Sequence, residues 1–287
     1  MFEYQAHEHI QHFIKEALHE DLGDGDHTSL ATVPASATGS ASLLVKDTGV
    51  LAGVELAKAI FHYVDPKSKL TFFKQDGDWI EPGMIVLEVG GLSQSILKAE
   101  RLVLNCMQRM SGIATYTRSL VQIIQGSKAK LLDTRKTTPN FRLAEKWACK
   151  IGGAENHRYA LFDMILIKDN HIKAAGGIQA ALDNCLSYCN QQNIQIPVIV
   201  EVKDEVEFLI ALKHPIVNRI LIDNHIPAVI ENYIHYRNTI APDKKLEISG
   251  GITLDTITPY LIQGIHCISV GALTHHATSV DISLKIV

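Results

Sequence analysis

Apolar positions follow two rhythms along the chain, and the change between them divides it. His9 to Glu20 sets Ile10, Phe13, Ile14 and Leu18 on one helical face, which predicts an amphipathic opening helix. Asp21-Leu22-Gly23-Asp24-Gly25-Asp26 breaks it. Those three aspartates resemble a calcium loop, but the later bidentate glutamate of that motif is missing, and a turn-rich connection is the expectation. Between Gly39 and Phe73 the β-rich runs Ala41 to Val45, Val50 to Val54 and Leu70 to Phe73 are interrupted by one helical pattern, Glu55 to Tyr63. Two turns within Asp76 to Gly83 lead into a further strand at Ile85 to Val89. Strands and helices segregated in this way predict an α+β unit with an antiparallel sheet.

A long helical stretch then begins near Ile96, and a further helix ends at Gly126-Ser127. From there strand and helix alternate. Strands are predicted at Lys130 to Asp133, Met164 to Lys168, Val198 to Val202, Arg219 to Asp223, Leu246 to Ser249 and Cys267 to Val270. Helices are predicted at Phe141 to Lys150, Ile178 to Gln192, Asp204 to Lys213, Ala228 to His235 and Leu254 to Ile262. Thr138-Pro139 suits an N-cap followed by a first-turn proline, and Gly152-Gly153 suits a helix stop. Strands apolar on both faces, alternating with helices, predict a parallel sheet, and six such units predict an α/β barrel or its open relative.

Composition narrows the partners. A chain of 287 residues, 46% hydrophobic and 20% charged, has the make-up of a globular protein long enough for one large α/β barrel or for two domains. A formal charge of −4 gives no reason to expect nucleic acid or an anionic membrane surface as a partner. No apolar run reaches the roughly 18 to 20 residues of a membrane span, and Met1-Phe2-Glu3-Tyr4 does not open a secretory signal, so a cytoplasmic location is expected. Five cysteines, an odd number without paired spacing, suit a reducing compartment; Cys185 and Cys189 lack two further ligands for zinc and are expected to be buried thiols.

Polar residues collect where the barrel strands end. Thr134-Arg135-Lys136 follows the first, Lys168-Asp169 the second, and Glu201, Asp223, Ser249-Gly250-Gly251 and Gly271 the others. In barrels this carboxyl-terminal rim is where chemistry is done. Arg135, Arg158 and Lys168, with Lys136 and His157 beside them, outnumber the nearby acids. Either Glu201 and Asp223 pair with them as ordinary ion pairs, or a polyanionic ligand does, and the excess of cations favours the ligand. Glu201 and Asp223 would then serve sugar hydroxyls or a magnesium ion carried by a pyrophosphate. Ser249-Gly250-Gly251 and Val270-Gly271-Ala272 follow the last two barrel strands, where backbone N–H groups often hold phosphate; tight turns are the alternative. Lys168 also leaves open a Schiff base of aldolase type. His275-His276 is better read as a loop cap than as a metal site.

The long motifs carry more. Glu20-Asp21-Leu22-Gly23, Gly49-Val50-Leu51-Ala52-Gly53, Glu100-Arg101-Leu102, Ser111-Gly112-Ile113-Ala114-Thr115, Asp133-Thr134-Arg135-Lys136-Thr137-Thr138-Pro139, Asn156-His157-Arg158, Leu166-Ile167-Lys168-Asp169-Asn170-His171, Glu201-Val202, Ser249-Gly250-Gly251-Ile252 and Ser269-Val270-Gly271-Ala272-Leu273-Thr274-His275 together resemble the quinolinate phosphoribosyltransferase family. The resemblance covers essentially the whole chain. It implies an N-terminal α/β sandwich domain at 1–112 and, at 113–287, an open α/β barrel of fewer than eight strands, of the type II phosphoribosyltransferase kind. It also implies a head-to-tail homodimer, with assembly into hexamers left open, in which the sandwich domain of one subunit covers the barrel mouth of the other.

By the same resemblance, Arg135, Lys136, His157, Arg158 and Lys168, joined by Arg101 in trans and flanked by Thr134, would surround the two carboxylates of quinolinate. Glu201 and Asp223 would contact the ribose hydroxyls and the magnesium of phosphoribosyl pyrophosphate, and Ser249, Gly250, Gly251, Val270, Gly271 and Ala272 its 5-phosphate. Lys136, Lys168, Glu201 and Asp223 would take part in the chemistry. Two departures stand out: Gly153-Ala154-Glu155 where many relatives have a third glycine, and Ala160 where many have glycine after the Asn-His-Arg triplet.

Overall fold

The computed structural model describes residues 7–287. Met1-Phe2-Glu3-Tyr4, and the first six residues of the expected 1–112 domain, lie outside them. In chain order the elements are α1 (His7–Leu22), α2 (His27–Thr32), β1 (Thr38–Val45), β2 (Gly49–Val50), α3 (Val54–Val64), β3 (Lys69–Phe72), β4 (Trp79–Ile80), β5 (Ile85–Leu92) and α4 (Ser93–Ile123). The alternating half follows with β6 (Lys130–Leu132), α5 (Arg142–Gly152), β7 (Ile165–Ile167), α6 (Asp169–Ala175), α7 (Ile178–Gln192), β8 (Val198–Val202) and α8 (Glu205–Lys213). It ends with β9 (Arg219–Asp223), α9 (Pro227–Ile240), β10 (Lys245–Ser249), β11 (Cys267–Ser269), α10 (Ala272–His275) and β12 (Ile282–Ile286).

The chain packs as two compact units, one of residues 119–136 and 154–272, the other of residues 7–118, 137–153 and 273–287. The second of these holds an antiparallel sheet in the order β12-β1-β5-β3, whose centre is Leu43 between Leu284 and Leu87. Ala41, Leu43 and Val45 of β1 are all buried, with Ser42 buried among them, inside the β-rich run Ala41 to Val45. Ile10, Ile14 and Leu18 of α1 are buried as its amphipathic spacing requires. In the aspartate-rich turn, Asp26 caps α2 by accepting the Ser29 N–H at 3.0 Å. β12 pairs with β1, so the last strand of the range read as barrel belongs to this sheet.

The other unit is built on six parallel strands in the order β6-β11-β10-β9-β8-β7, with no pairing recorded between β7 and β6 among the described residues. Parallel strands joined through helices give an open α/β barrel, and Ile199, Val200, Ile220, Leu246, Ile248 and Ile268 are buried within it. At the far end of α8 the Lys244 ammonium donates to the carbonyls of Ala211, His214 and Val217, satisfying acceptors that a helix terminus leaves open.

Four local predictions need correction. Val50 to Val54 is not a strand: pairing stops at Val50, and the Leu51 and Ala52 amides go to Asp78 O and Ser111 Oγ. The expected break after Ile96 to Ile113 is absent, and α4 runs unbroken for 31 residues. Thr138 does not cap α5: Asn140 turns the chain with φ 60°, Phe141 takes the cap position, and Thr138 donates its amide and hydroxyl to Glu145. Leu254 to Ile262 keeps only one 3-10 turn, Thr258–Tyr260, because Pro259 has no amide to donate and the Thr256 hydroxyl ties back to Gly251 O.

Candidate active site

Parallel strands in register carry their side-chain alternation in step across the sheet. Glu201 lies opposite Leu221, and Glu247 opposite Leu221 on the other side; Asp223, two residues on, lies opposite Ser249. These four polar residues therefore share one face of the sheet, at or near the carboxyl ends of their strands. Lys168 follows β7 directly, and its amide donates to Nδ1 of His171 at 3.0 Å as α6 begins. Its ammonium reaches Glu201 Oε2 at 2.6 Å, so this cation has an internal partner.

The Asn156-His157-Arg158 triplet comes to the same rim by pairing alongside β6. Glu155 bridges Leu132, accepting from the Asp133 amide at 3.2 Å and donating to Leu131 O at 2.8 Å. Asp133 is wholly buried and accepts from Asn156 Nδ2 at 2.5 Å and the His157 amide at 2.9 Å. The next residue, Arg158, is only 9% exposed, and its Nη1 donates to Met164 O at 3.2 Å. Burial, and then the positive charge of Arg135, push the Arg158 pKa down; Asp163 opposes them weakly. Two guanidiniums that disfavour each other in a partly desolvated place make an electrostatic site for an anion. The Lys136 amide donates to Thr134 Oγ1 at 3.0 Å, folding the basic tripeptide back on itself with the Lys136 side chain exposed.

On the opposite part of the rim, Asp223 accepts from Ser249 Oγ at 2.5 Å and from Asn224 Nδ2 at 2.7 Å, so both carboxylate oxygens are oriented. Gly250 is in the left-handed region, φ 98°, and a Cβ there would strike Asn224, whose amide lies 2.7 Å away. Only glycine fits such a turn, and the Ser249-Gly250-Gly251 loop keeps open backbone next to Asp223. Val270 and Ala272 are buried and Gly271 is half-exposed after β11, with the Val270 amide given to Leu132 O at 2.9 Å. Asp169, Glu201, Asp223 and Glu207 line a cavity of about 130 Å³. A larger cavity, about 690 Å³, lies in the other unit against α1 and α3 and contains none of the rim residues. Chemistry outweighs volume here, and the rim is the better site.

The structure thus brings together Arg135 with Arg158, Lys168 with Glu201, and Asp223 with Ser249 and Gly250. Arg101 is exposed on α4, in the other unit. His275 and His276 meet edge to face, their ring centroids 4.6 Å apart. Cys185 and Cys189 are free thiols that hydrogen-bond to each other, and burial pushes Cys185 up to about 11. Two residues behind the rim escaped the sequence: Arg219, at the amino end of β9, and above all Glu247, buried at 1% exposure and bonded to Arg219, Ser269 and His157, while Asp133 stood in one of the long motifs without a role. The available signal was a carboxylate between Leu246 and Ile248, in a strand otherwise apolar where it counts.

Two family models match the chain: "Quinolinate phosphoribosyl transferase, N-terminal domain" over residues 26–111 and "Quinolinate phosphoribosyl transferase, C-terminal domain" over residues 113–285. The decarboxylating quinolinate phosphoribosyltransferase 1 of Nicotiana glauca is 42% identical over 285 residues, 95% of this chain and 81% of the relative. The probable carboxylating nicotinate-nucleotide pyrophosphorylase of Bacillus subtilis is 35% identical and is matched over 98% of this chain and 94% of its own length. Among solved structures, NadC from Streptococcus pyogenes superposes with a TM-score of 0.86 at 36% identity, covering 97% of this chain and 96% of that one.

Proposed function

The chain belongs to the quinolinate phosphoribosyltransferase family, and on that premise we propose that it is the decarboxylating enzyme itself, a pentosyltransferase of de novo NAD synthesis. It joins quinolinate to phosphoribosyl pyrophosphate and releases nicotinate mononucleotide, pyrophosphate and carbon dioxide. The single observation in this fold that carries the reading is Arg158, only 9% exposed at the barrel rim, with burial and then the neighbouring charge of Arg135 lowering its pKa.

The chemistry is charge management. Arg135, Arg158 and Lys136 receive the two carboxylates of quinolinate and aim its ring nitrogen at the ribosyl carbon. Asp223, with both oxygens oriented by Ser249 and Asn224, and Glu201, held by Lys168, face the ribose hydroxyls and favour the positive charge that grows on that carbon as pyrophosphate leaves. Ser249, Gly250, Gly251, Val270, Gly271 and Ala272 receive the 5-phosphate. Once the ring nitrogen is quaternised, the adjacent carboxylate departs as carbon dioxide and the electron pair stays on the ring carbon. A proton replaces the lost carboxylate, and the positive charge of Lys136 or Lys168 would stabilise that carbanion.

Magnesium, bound with the pyrophosphate, would neutralise the leaving group. Glu201 and Asp223 fit an ion that brings most of its oxygens with it, since no group of three or more His, Cys, Asp or Glu among the described residues could hold a metal alone. The proposed assembly is a homodimer in which Arg101, exposed on α4, completes the partner's rim; whether dimers associate further into hexamers is a separate question of assembly. Five free cysteines suit a reducing cytoplasm, and no helix among the described residues is long and apolar enough to cross a membrane.

The deciding assay follows pyrophosphate and carbon dioxide with quinolinate as acceptor, and nicotinate as the control acceptor, which lacks the carboxylate beside the ring nitrogen. Arg158→Ala should weaken quinolinate by roughly ten- to a hundredfold, the worth of a charge-assisted contact, and leave phosphoribosyl pyrophosphate within a few-fold. Absence of either product from quinolinate, or equal loss of both substrates in Arg158→Ala, would reject this reading.

A further inference from the structure

Glu247, on the same sheet face as Glu201 and Asp223, is a carboxylate only 1% exposed. Its Oε2 accepts from Arg219 Nη1 at 2.8 Å, and its Oε1 from Ser269 Oγ at 2.5 Å and from His157 Nε2 at 3.3 Å. Arg219 alone would neutralise it; the bond to His157 is the one that leads to the site. The His157 side chain is only 7% exposed, and its other nitrogen, Nδ1, accepts the Arg158 backbone N–H at 2.7 Å. One imidazole can do both only in the tautomer with its proton on Nε2 and its lone pair on Nδ1. A carboxylate facing Nε2 selects that tautomer, because the other would set lone pair against carboxylate at one end and N–H against N–H at the other.

We infer that Glu247 is a positioning residue for the acceptor substrate: by fixing the His157 tautomer it pins the Arg158 backbone, and so aims the guanidinium that meets the quinolinate carboxylate. This rests on the proposed function and adds a line of command inside it. Both ring nitrogens of His157 are thus engaged within the protein, one by Glu247 and one by the Arg158 backbone. Asp133 holds the preceding peptide through the His157 amide, and Met164 O holds the far end of Arg158, so the residue is fixed at three points, of which the imidazole supplies the middle one.

The test is a double-mutant cycle on the full-length chain, read as the dissociation constant of quinolinate by calorimetry and, separately, the KM of phosphoribosyl pyrophosphate. Glu247→Gln removes the negative charge and leaves one carbonyl oxygen where Arg219 on one side and His157 with Ser269 on the other each had an acceptor, so the His157 bond weakens. Quinolinate affinity should fall about tenfold, the worth of one hydrogen-bonded contact, while the KM of phosphoribosyl pyrophosphate stays within about twofold. His157→Asn supplies an oxygen for the Arg158 amide without needing Glu247, so in that background Glu247→Gln should cost quinolinate less than about twofold. A purely structural Glu247, acting through Arg219, would cost the same in both backgrounds, and that result overturns the inference. So does unchanged quinolinate affinity in Glu247→Gln.

Should Glu247→Gln fail to fold, two single variants carry the same test. His157→Gln keeps a donor for Glu247 but loses the acceptor for Arg158 and should lose about tenfold in quinolinate affinity. His157→Asn, which keeps that acceptor, should lose severalfold less than His157→Gln, and equal loss in the two overturns the proposal. A wild-type protein that neither binds quinolinate nor releases pyrophosphate sinks the parent reading instead, so the two failures are told apart.

Discussion

Glu247 also shows how a single residue couples the site to stability. Burial alone would raise its pKa, but the donors His157, Arg219 and Ser269 outweigh that and hold it down at about 2, against an ordinary 4.5. A carboxylate whose folded pKa lies below its unfolded one stabilises the protein fully above the unfolded value and loses that contribution as pH falls through the folded one. The window is therefore about pH 4.5 down to about 2, and the shift corresponds to roughly 3 kcal/mol. Denaturant titrations of the wild type across this window should show unfolding free energy falling with acidity. Glu247→Gln should be less stable at pH 7 and show a flatter slope between those limits. Parallel slopes for the two proteins would mean that Glu247 is not the group being protonated. Arg158 runs in the opposite sense: burial and then the charge of Arg135 lower its pKa, with Asp163 opposing them, so its charge is made less comfortable by folding.

At the scale of elements, α4 illustrates what local sequence conveys and what it withholds. Gly112 in its middle looks like a weak point, yet the helix is continuous, because a Cβ there would collide with the backbone of Thr278 and Ser279. Gly152 of α5 does the same service a turn further along, where a Cβ would lie 2.7 Å from Ala114 O and 2.5 Å from Thr117 Cβ. Between these close approaches Arg109 binds Glu145 at 3.0 Å and the carbonyls of Thr274 and Ala277, tying α4, α5 and the chain after α10 together. Gly112→Ala should therefore destabilise the fold by about 1 to 3 kcal/mol, as overpacking does, although alanine is the better helix former. An unchanged denaturation midpoint would show that the chain at Thr278 can move aside.

The same contrast decides how much of the fold was legible. Ile178–Gln192, Val198–Val202 and Arg219–Asp223 were readable to the residue because apolar periodicity and flanking polar turns coincide there. Leu254 to Ile262 misled because its apolar spacing is helical while Pro259 and the Thr256 hydroxyl favour a turn. In the site, the cations were legible because they follow strands, but Glu247 was not. In Lys245-Leu246-Glu247-Ile248-Ser249 the carboxylate falls on the polar side of an alternation, which reads as a solvent-facing position, and its partners, Arg219, Ser269 and His157, are 22 to 90 residues distant in sequence.

For the whole molecule, the chain leaves the antiparallel sheet after β5, builds six parallel strands, and returns with β12 to pair with β1. Each unit thus has its own sheet, and the proposed enzyme needs Arg101 from the unit without the rim. If that arginine acts across a dimer, two different lesions should complement. A chain carrying Arg101→Ala keeps an intact rim but offers its partner no arginine, whereas one carrying Lys168→Ala offers the arginine but has a damaged rim. In a heterodimer of the two, one of the two sites combines a sound rim with a sound arginine, and the other has both defects. Isolated heterodimers should show about half the wild-type rate, and unsorted one-to-one mixtures about a quarter, since random pairing makes about half the dimers mixed. Were Arg101 to serve the rim of its own chain, every site in the heterodimer would carry one lesion. Mixing would then restore nothing beyond the residual rates of the two parents, so verified heterodimers without recovery would place the arginine in cis.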